Sequence, residues 1–313
     1  METRGFGDTG IQVSEIGLGC GGLGAGRMKD LEHVLEYAFD HGVTFYDTAD
    51  MYAGGASEET LGKVFEKKRN DIVLCTKFGT VINPDGKSSH KNVSLGHMRE
   101  ALEGSFKRLR TDHFDVYLFH NPPISVLEDR ALFDALDALV DEGKIRCYGT
   151  SIDNGGDATR FLDETGSKGI QMILSLFQQG AREPFLQDAK DRGAGVIIKV
   201  PLAGGTLTGR FTMEYPGPDD GRRKRWGEND YKSRLDLVEK VRPILEKPGR
   251  TMAQGALAWL LSLEGVTVLI PGISSIEKVK ENIGAGGMRL TPDEMQALDE
   301  LGGGEVRNAD LRW

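Results

Sequence analysis

Short apolar runs alternate along this chain with longer amphipathic stretches. The runs cover residues 16–20, 43–46, 72–75, 114–119, 145–148, 170–174, 195–200 and 266–270, and each has the length of a strand. The clearest of the longer stretches spans residues 127–140. There Leu127, Ala131, Leu132, Ala135, Leu136, Leu139 and Val140 share one helical face, and Gly143 supplies a stop. Eight strand–helix units of this kind predict an α/β fold, a (β/α)8 TIM barrel, in preference to an open sheet.

The flanks add smaller elements. Residues 3–13 carry Gly7-Asp8-Thr9-Gly10 between two extended pieces, which predicts an N-terminal β-hairpin before the first barrel strand. In Thr291-Pro292-Asp293-Glu294 a threonine cap, a first-turn proline and a capping-box glutamate predict an additional C-terminal helix through Leu301. Ser274 with Glu277 offers a second capping box just after the eighth strand. Residues 80–94, 212–230 and 302–313 read as loops, the first with Pro84-Asp85-Gly86, the second with Trp226, the third ending in Trp313. Loops of that length are often lids or specificity elements.

Composition narrows the function classes. A length of 313 residues suits one barrel, so residues 1–313 are expected to form a single domain. The net charge of -9 argues against a nucleic-acid or anionic-membrane partner, since both need a cationic surface. The basic run Arg222, Arg223, Lys224, Arg225 reads as a solvated loop or a local anion contact. No apolar stretch has transmembrane length and residues 1–10 lack a signal-peptide core, so a cytoplasmic protein is expected. Cys20, Cys75 and Cys147 are far apart and lie in apolar segments, which points to buried thiols and to neither zinc nor a disulfide.

Four polar residues, Asp47, Tyr52, Lys77 and His120, sit at or just past the ends of apolar runs. In a (β/α)8 barrel those ends open onto one face, where distant residues can meet. A lysine there must find an anion or lose its charge. A tyrosine, a lysine, a carboxylate and an imidazole together make a proton-donating site. The glycine cluster from Gly17 through Gly19 to Gly22 has the G-x-G-x-x-G spacing of a dinucleotide loop, but the next helical pattern begins only near Asp30. Close approach of backbone to a ligand at the barrel mouth suits it better. Asp47, Asp50 and His120 could also serve a metal-dependent hydrolase or isomerase, although Lys77 among the ligands would oppose a dication.

The chain resembles the aldo-keto reductase family over nearly its whole length. The resemblance rests on Phe45-Tyr46-Asp47-Thr48-Ala49-Asp50-Met51-Tyr52, on Thr76-Lys77, and on Ser105-Phe106-Lys107-Arg108-Leu109 leading through Asp112 and Asp115 to His120. It continues in Gly149-Thr150-Ser151, Gln171, Pro201-Leu202, Ile270-Pro271-Gly272 and Glu281-Asn282. It implies a barrel that binds a nicotinamide cofactor, usually NADP(H), and reduces aldehydes and ketones to alcohols or runs the reverse. Tyr52 would be the acid, Lys77 the cation that favours its anion, Asp47 the partner of Lys77, and His120 the group that orients the carbonyl.

For the cofactor, the resemblance implies Gly19, Ser151, Gln171, Lys199, Pro201, Leu202, Gly272, Ser274, Lys278, Glu281 and Asn282. Ser151 and Gln171 match positions that hold the nicotinamide carboxamide, while Ile152 replaces the usual asparagine. Lys199 stands where many members stack a tyrosine, so that stack should be missing and the lysine meets phosphates instead. Lys278 replaces an arginine at the 2′-phosphate and Asn282 matches an adenine contact. NADPH is therefore the expected cofactor, with NADH possible and no metal. A cofactor-binding regulatory module without useful turnover is the rival reading, which retention of all four catalytic positions disfavours.

Overall fold

The computed structural model describes residues 1–22, 28–86 and 88–301. Strands β1 (Thr3–Gly5) and β2 (Gln12–Ser14) pair antiparallel as the expected hairpin. Three parallel strands follow: β3 (Leu18–Gly19), β4 (Phe45–Asp47) and β5 (Val73–Phe78). A second hairpin, β6 (Thr80–Ile82) and β7 (Ser89–Lys91), is inserted before the remaining strands. These are β8 (Phe114–His120), β9 (Ile145–Ser151), β10 (Gly169–Ile173), β11 (Gly195–Lys199) and β12 (Val268–Leu269). The eight parallel strands form one sheet with β12 and β3 at its edges, and the bridges Ile16–Leu269 and Gly19–Gly272 join those edges into a barrel.

The period of two along each strand separates two cores. Phe45, Val73, Cys75, Val116, Leu118, Cys147, Ile197 and Val268 pack inside the barrel, where Phe6, Ile11 and Val13 of the first hairpin join them and plug the N-terminal end. Tyr46, Leu74, Tyr117, Phe119, Ile170, Val196 and Ile198 face outward into the larger layer beneath the helices. Each such buried side chain contributes about 2 kcal/mol of apolar transfer. Two residues beyond Phe45, Cys75, Leu118 and Ile197, the inward positions become Asp47, Lys77, His120 and Lys199. The alternation that fills the barrel thus also lays a polar layer across its C-terminal mouth.

Several local expectations shift. The helix expected over 127–140 runs Arg130–Asp141, because the Asp129 side chain accepts from Leu132 N at 3.2 Å and leaves Leu127 in the preceding turn Ile124–Glu128. Gly143, with φ +72°, lies just past its end as expected. After β12 the cap is Ser275 and not Ser274: the Ser275 hydroxyl accepts from Lys278 N and the helix is Ile276–Ile283. Thr291 and Glu294 do form a reciprocal capping box ahead of Pro292–Leu301. Residues 80–94 hold the second hairpin, and 212–230 hold the helix Gly221–Trp226 and the start of Glu228–Leu245, so neither is a plain loop. The expected loop at 302–313, with Trp313, lies outside the described residues.

Candidate active site

Asp47 ends β4, and the chain then continues alongside parallel β5, with Thr48 N donating to Cys75 O and Asp50 N to Lys77 O. This course carries Tyr52 over Lys77. A turn with positive φ at Ala53, Gly54 and Gly55 leads from Tyr52 into the helix Ala56–Phe65, and Gly21 abuts the Tyr52 ring on the other side. The Lys77 Nζ lies 2.7 Å from Asp47 Oδ1, donates to Thr48 O at 2.6 Å, and sits 5.1 Å from the centre of the Tyr52 ring. The His120 ring meets the Tyr52 ring edge-on at 5.7 Å. The four residues read from strand ends are therefore in one place.

Their surroundings set their charge. Burial opposes the Lys77 ammonium, but Asp47 and Tyr52 more than offset it and hold the group well above the usual lysine range. Burial pushes the Tyr52 hydroxyl up while Lys77 pulls it down, and burial prevails, so Tyr52 is protonated at neutral pH. Burial, with Lys77, Lys91 and Lys199 nearby, takes His120 down to about 2, and its buried Nδ1 has no hydrogen-bond partner among the described residues. The imidazole is neutral.

A chain of hydrogen bonds ties this group to three further inward-facing residues. Gln171 Nε2 donates to Asp47 Oδ2 at 2.6 Å, Ser151 Oγ donates to Gln171 Oε1 at 3.0 Å, and Lys199 Nζ donates to Ser151 Oγ at 3.0 Å. Lys199 also pairs with Asp153 Oδ1 at 3.0 Å. It is held inside the mouth, next to the cavity described below. Gly19 is used by its neighbours: a Cβ there would come within 2.9 Å of Ile270 O, at the seam that closes the barrel.

Next to the mouth a cavity of about 340 Å³ opens between the segment after β11 and the segment after β12. Pro201, Leu202, Gly272, Ser274, Lys278, Glu281 and Asn282 all line it. Lys278 Nζ donates to Ser274 Oγ at 2.7 Å at the N-terminal end of the helix Ile276–Ile283, and Arg210 pairs with Glu281 at 2.6 Å. Arg210, Arg222, Phe211 and Tyr215 complete the wall. Arg222 belongs to the basic run read as a solvated loop or an anion contact; Arg210, Phe211 and Tyr215 did not stand out in the sequence, because no periodicity marks the stretch that carries them. Trp226 lies behind the wall, 5% exposed and stacked on Tyr231.

Two carboxyls near Tyr52, those of Glu58 and Asp50, lie outside this chain of bonds. Glu58 accepts from Thr76 Oγ1 at 2.6 Å, Ser105 Oγ at 3.1 Å and Arg108 Nε at 2.7 Å, linking β5 to two helices. Asp50 has a buried Oδ1 with no hydrogen-bond partner among the described residues, and burial followed by the charge of Glu58 takes its carboxyl up to about 7.

A closed parallel barrel with a buried lysine–carboxylate pair, a tyrosine and a neutral histidine at its mouth defines a class of carbonyl-reducing barrel oxidoreductases. The Aldo/keto reductase family model matches residues 15–302. An uncharacterised oxidoreductase of Bacillus subtilis, YqkF, is 32% identical over 95% of both chains. The aldo-keto reductase yakc [NADP(+)] of Schizosaccharomyces pombe is 31% identical over 92% of this chain and 88% of its own. The holo form of aldo-keto reductase AKR11C1 from Bacillus halodurans superposes with a TM-score of 0.83, at 28% identity and 96% coverage of each chain. The chain belongs to the aldo/keto reductase family. It is accordingly an NAD(P)H-dependent oxidoreductase that interconverts carbonyls and alcohols.

Proposed function

We propose that the protein reduces an aldehyde or ketone with NADPH, the proton coming from Tyr52. The observation that carries this reading is the Lys77–Asp47 pair, 0% and 4% exposed, lying under the Tyr52 ring. A bound nicotinamide supplies the hydride. As it reaches the carbonyl carbon, the Tyr52 O–H donates its proton to the oxygen, which completes the alcohol. Lys77 stabilises the tyrosinate left behind, Asp47 fixes Lys77, and Gln171 fixes the second oxygen of Asp47. Neutral His120 donates a hydrogen bond to the same carbonyl oxygen and sets its direction.

The cavity fits a nucleotide. It is bounded by Lys278, Arg210 and Arg222, and a helix N-terminus adds donors and a favourable dipole for an anion. In this reading Ser151 and Gln171 hold the carboxamide, Pro201, Leu202 and Gly272 flank the pyrophosphate, and Gly19 keeps the seam beside them close. Asn282 and Glu281 meet the adenosine. Ser274 and Lys278, with Arg210, take the 2′-phosphate, which favours NADPH over NADH. Lysine serves there as a point charge where an arginine would form a fork.

Spectrophotometric consumption of NADPH and NADH with aldehydes, ketones and aldoses, run beside Tyr52→Phe, tests the reading. Turnover should fall at least about 100-fold in the variant while NADPH binding survives. Undiminished turnover in Tyr52→Phe would remove the tyrosine from the mechanism. Tight NADPH binding without turnover in either direction would favour the regulatory module.

A further inference from the structure

We propose that the substrate carries an anionic group, a carboxylate or a phosphate, which is seated on Lys91 beside the reacting carbonyl. The inference rests on the reductase reading above and names the substrate class of that site.

Lys91 ends β7, the second arm of the hairpin inserted after β5. Its Nζ donates to His120 O at 2.8 Å and to Thr80 Oγ1 at 2.6 Å, and Thr80 Oγ1 itself donates to His120 O at 3.0 Å. Two neutral oxygens thus fix the ammonium against the backbone of the residue whose imidazole stands at Tyr52. His120 is in register with Ser151 on β9, and Ser151 Oγ accepts from Lys199. Lys91 and Lys199 therefore flank the same pair of strand ends at the mouth, close enough that each disfavours the charge of His120.

The charges around them do not cancel. Lys77 is paired with Asp47, Lys199 with Asp153, and Arg210 with Glu281. Lys91 has no carboxylate partner among the described residues, in a chain whose 48 acidic residues outnumber its 39 Lys and Arg. A fixed, exposed and unneutralised cation at the mouth of an acidic protein attracts and orients an anion. It also needs no desolvation of a competing ion pair. The two bonds that fix Nζ use two of its three protons, and the third remains for the anion.

Matched pairs decide the matter: butanal against 4-oxobutanoate, and glyceraldehyde against its 3-phosphate, each with NADPH on wild type, Lys91→Met and Lys91→Arg. Wild type should give kcat/KM at least tenfold higher for one anionic partner than for its neutral counterpart. The carboxylate and phosphate arms identify which anion. In Lys91→Met the anionic-to-neutral ratio should fall at least tenfold, mainly through KM, and Lys91→Arg should restore most of it. Equal handling of each pair by wild type, or equal slowing of both partners in Lys91→Met, would overturn the proposal and leave Lys91 as a tie between hairpin and barrel. Calorimetric titration of butanedioate and its diamide into the NADP+ complex separates this from failure of the reductase reading. Dianion binding that depends on Lys91 supports the anion seat even without turnover, and its absence overturns the seat.

Discussion

At the scale of single residues, the site is governed by which charges the barrel mouth tolerates. Asp50 shows this best, since its carboxyl lies beside the tetrad without belonging to it. Its value of about 7, against 3.8 for a free aspartate, means that the folded state holds a proton which the unfolded chain has already lost between those two pH values. Stability from this group is therefore present below pH ~4, falls as pH rises to about 7, and is flat above, by at most about 4 kcal/mol. Asp50→Asn abolishes the slope. Its melting temperature relative to wild type should climb by several degrees between pH 5 and pH 8, and a difference that stays constant with pH would show that Asp50 is not a buried acid. Asp47, Tyr52, Lys77 and His120 were legible because each interrupts or ends an apolar run. Asp153 and Lys91 were not, because their partners Lys199 and His120 come from other strands, and contact across a barrel leaves no mark on sequence spacing.

Between elements, Glu58 is the joint that sets the height of Tyr52. It lies on the helix that begins four residues after the tyrosine, and its carboxylate binds β5 through Thr76 and the helix Leu95–Leu109 through Ser105 and Arg108. That packing is close: a Cβ on Gly62 would come within 2.3 Å of Arg108 O. Glu58→Gln removes the charge that pairs with Arg108 and leaves a guanidinium beside a neutral amide, which should cost about 3 kcal/mol in urea denaturation. The exposed pair Arg110–Glu66 provides the contrast, and Glu66→Gln should cost less than about 1 kcal/mol. Because Glu58 is one cause of the raised Asp50 value, Glu58→Gln should also flatten the pH slope described above. Equal costs for the two glutamates would mean that the Glu58 network does not bear on stability. The strands, the N-terminal hairpin and the helix start at Thr291 came through from patterning. The cap at Ser275 differs by one residue from the expected one because Ser274 is occupied by Lys278 Nζ, a contact that capping rules do not contain.

The whole molecule is organised around the seam that joins β3 to β12. The cavity proposed for the nucleotide is built by the segments following β11 and β12, next to that seam, and its outer wall is held by Phe211, Trp226 and Tyr231 with Arg223 bonded to Glu228, Met213 O and Pro216 O. Eight strand runs revealed the barrel in advance. The wall was only partly legible: Arg222 showed in a basic run, but Arg210 gains its position only when the chain folds back over the cavity. A ligand in the cavity would bridge this wall to the helix Ile276–Ile283 and so bind the folded chain alone. At 100 times its Kd, NADPH should then stabilise the protein by about 2.7 kcal/mol. With an unfolding entropy of about 2.1 cal/mol/K per residue, that is a rise in Tm of roughly 4 °C. NADH lacks the 2′-phosphate and forgoes its contacts with Lys278 and Arg210, so the same concentration should raise Tm by less. Replacing both cations by methionine should close the gap between the two cofactors by weakening NADPH. Equal shifts in the wild-type protein would instead show that the cations at this end of the cavity do not discriminate, and NADPH preference would have to be abandoned while the tetrad chemistry at the other end stands.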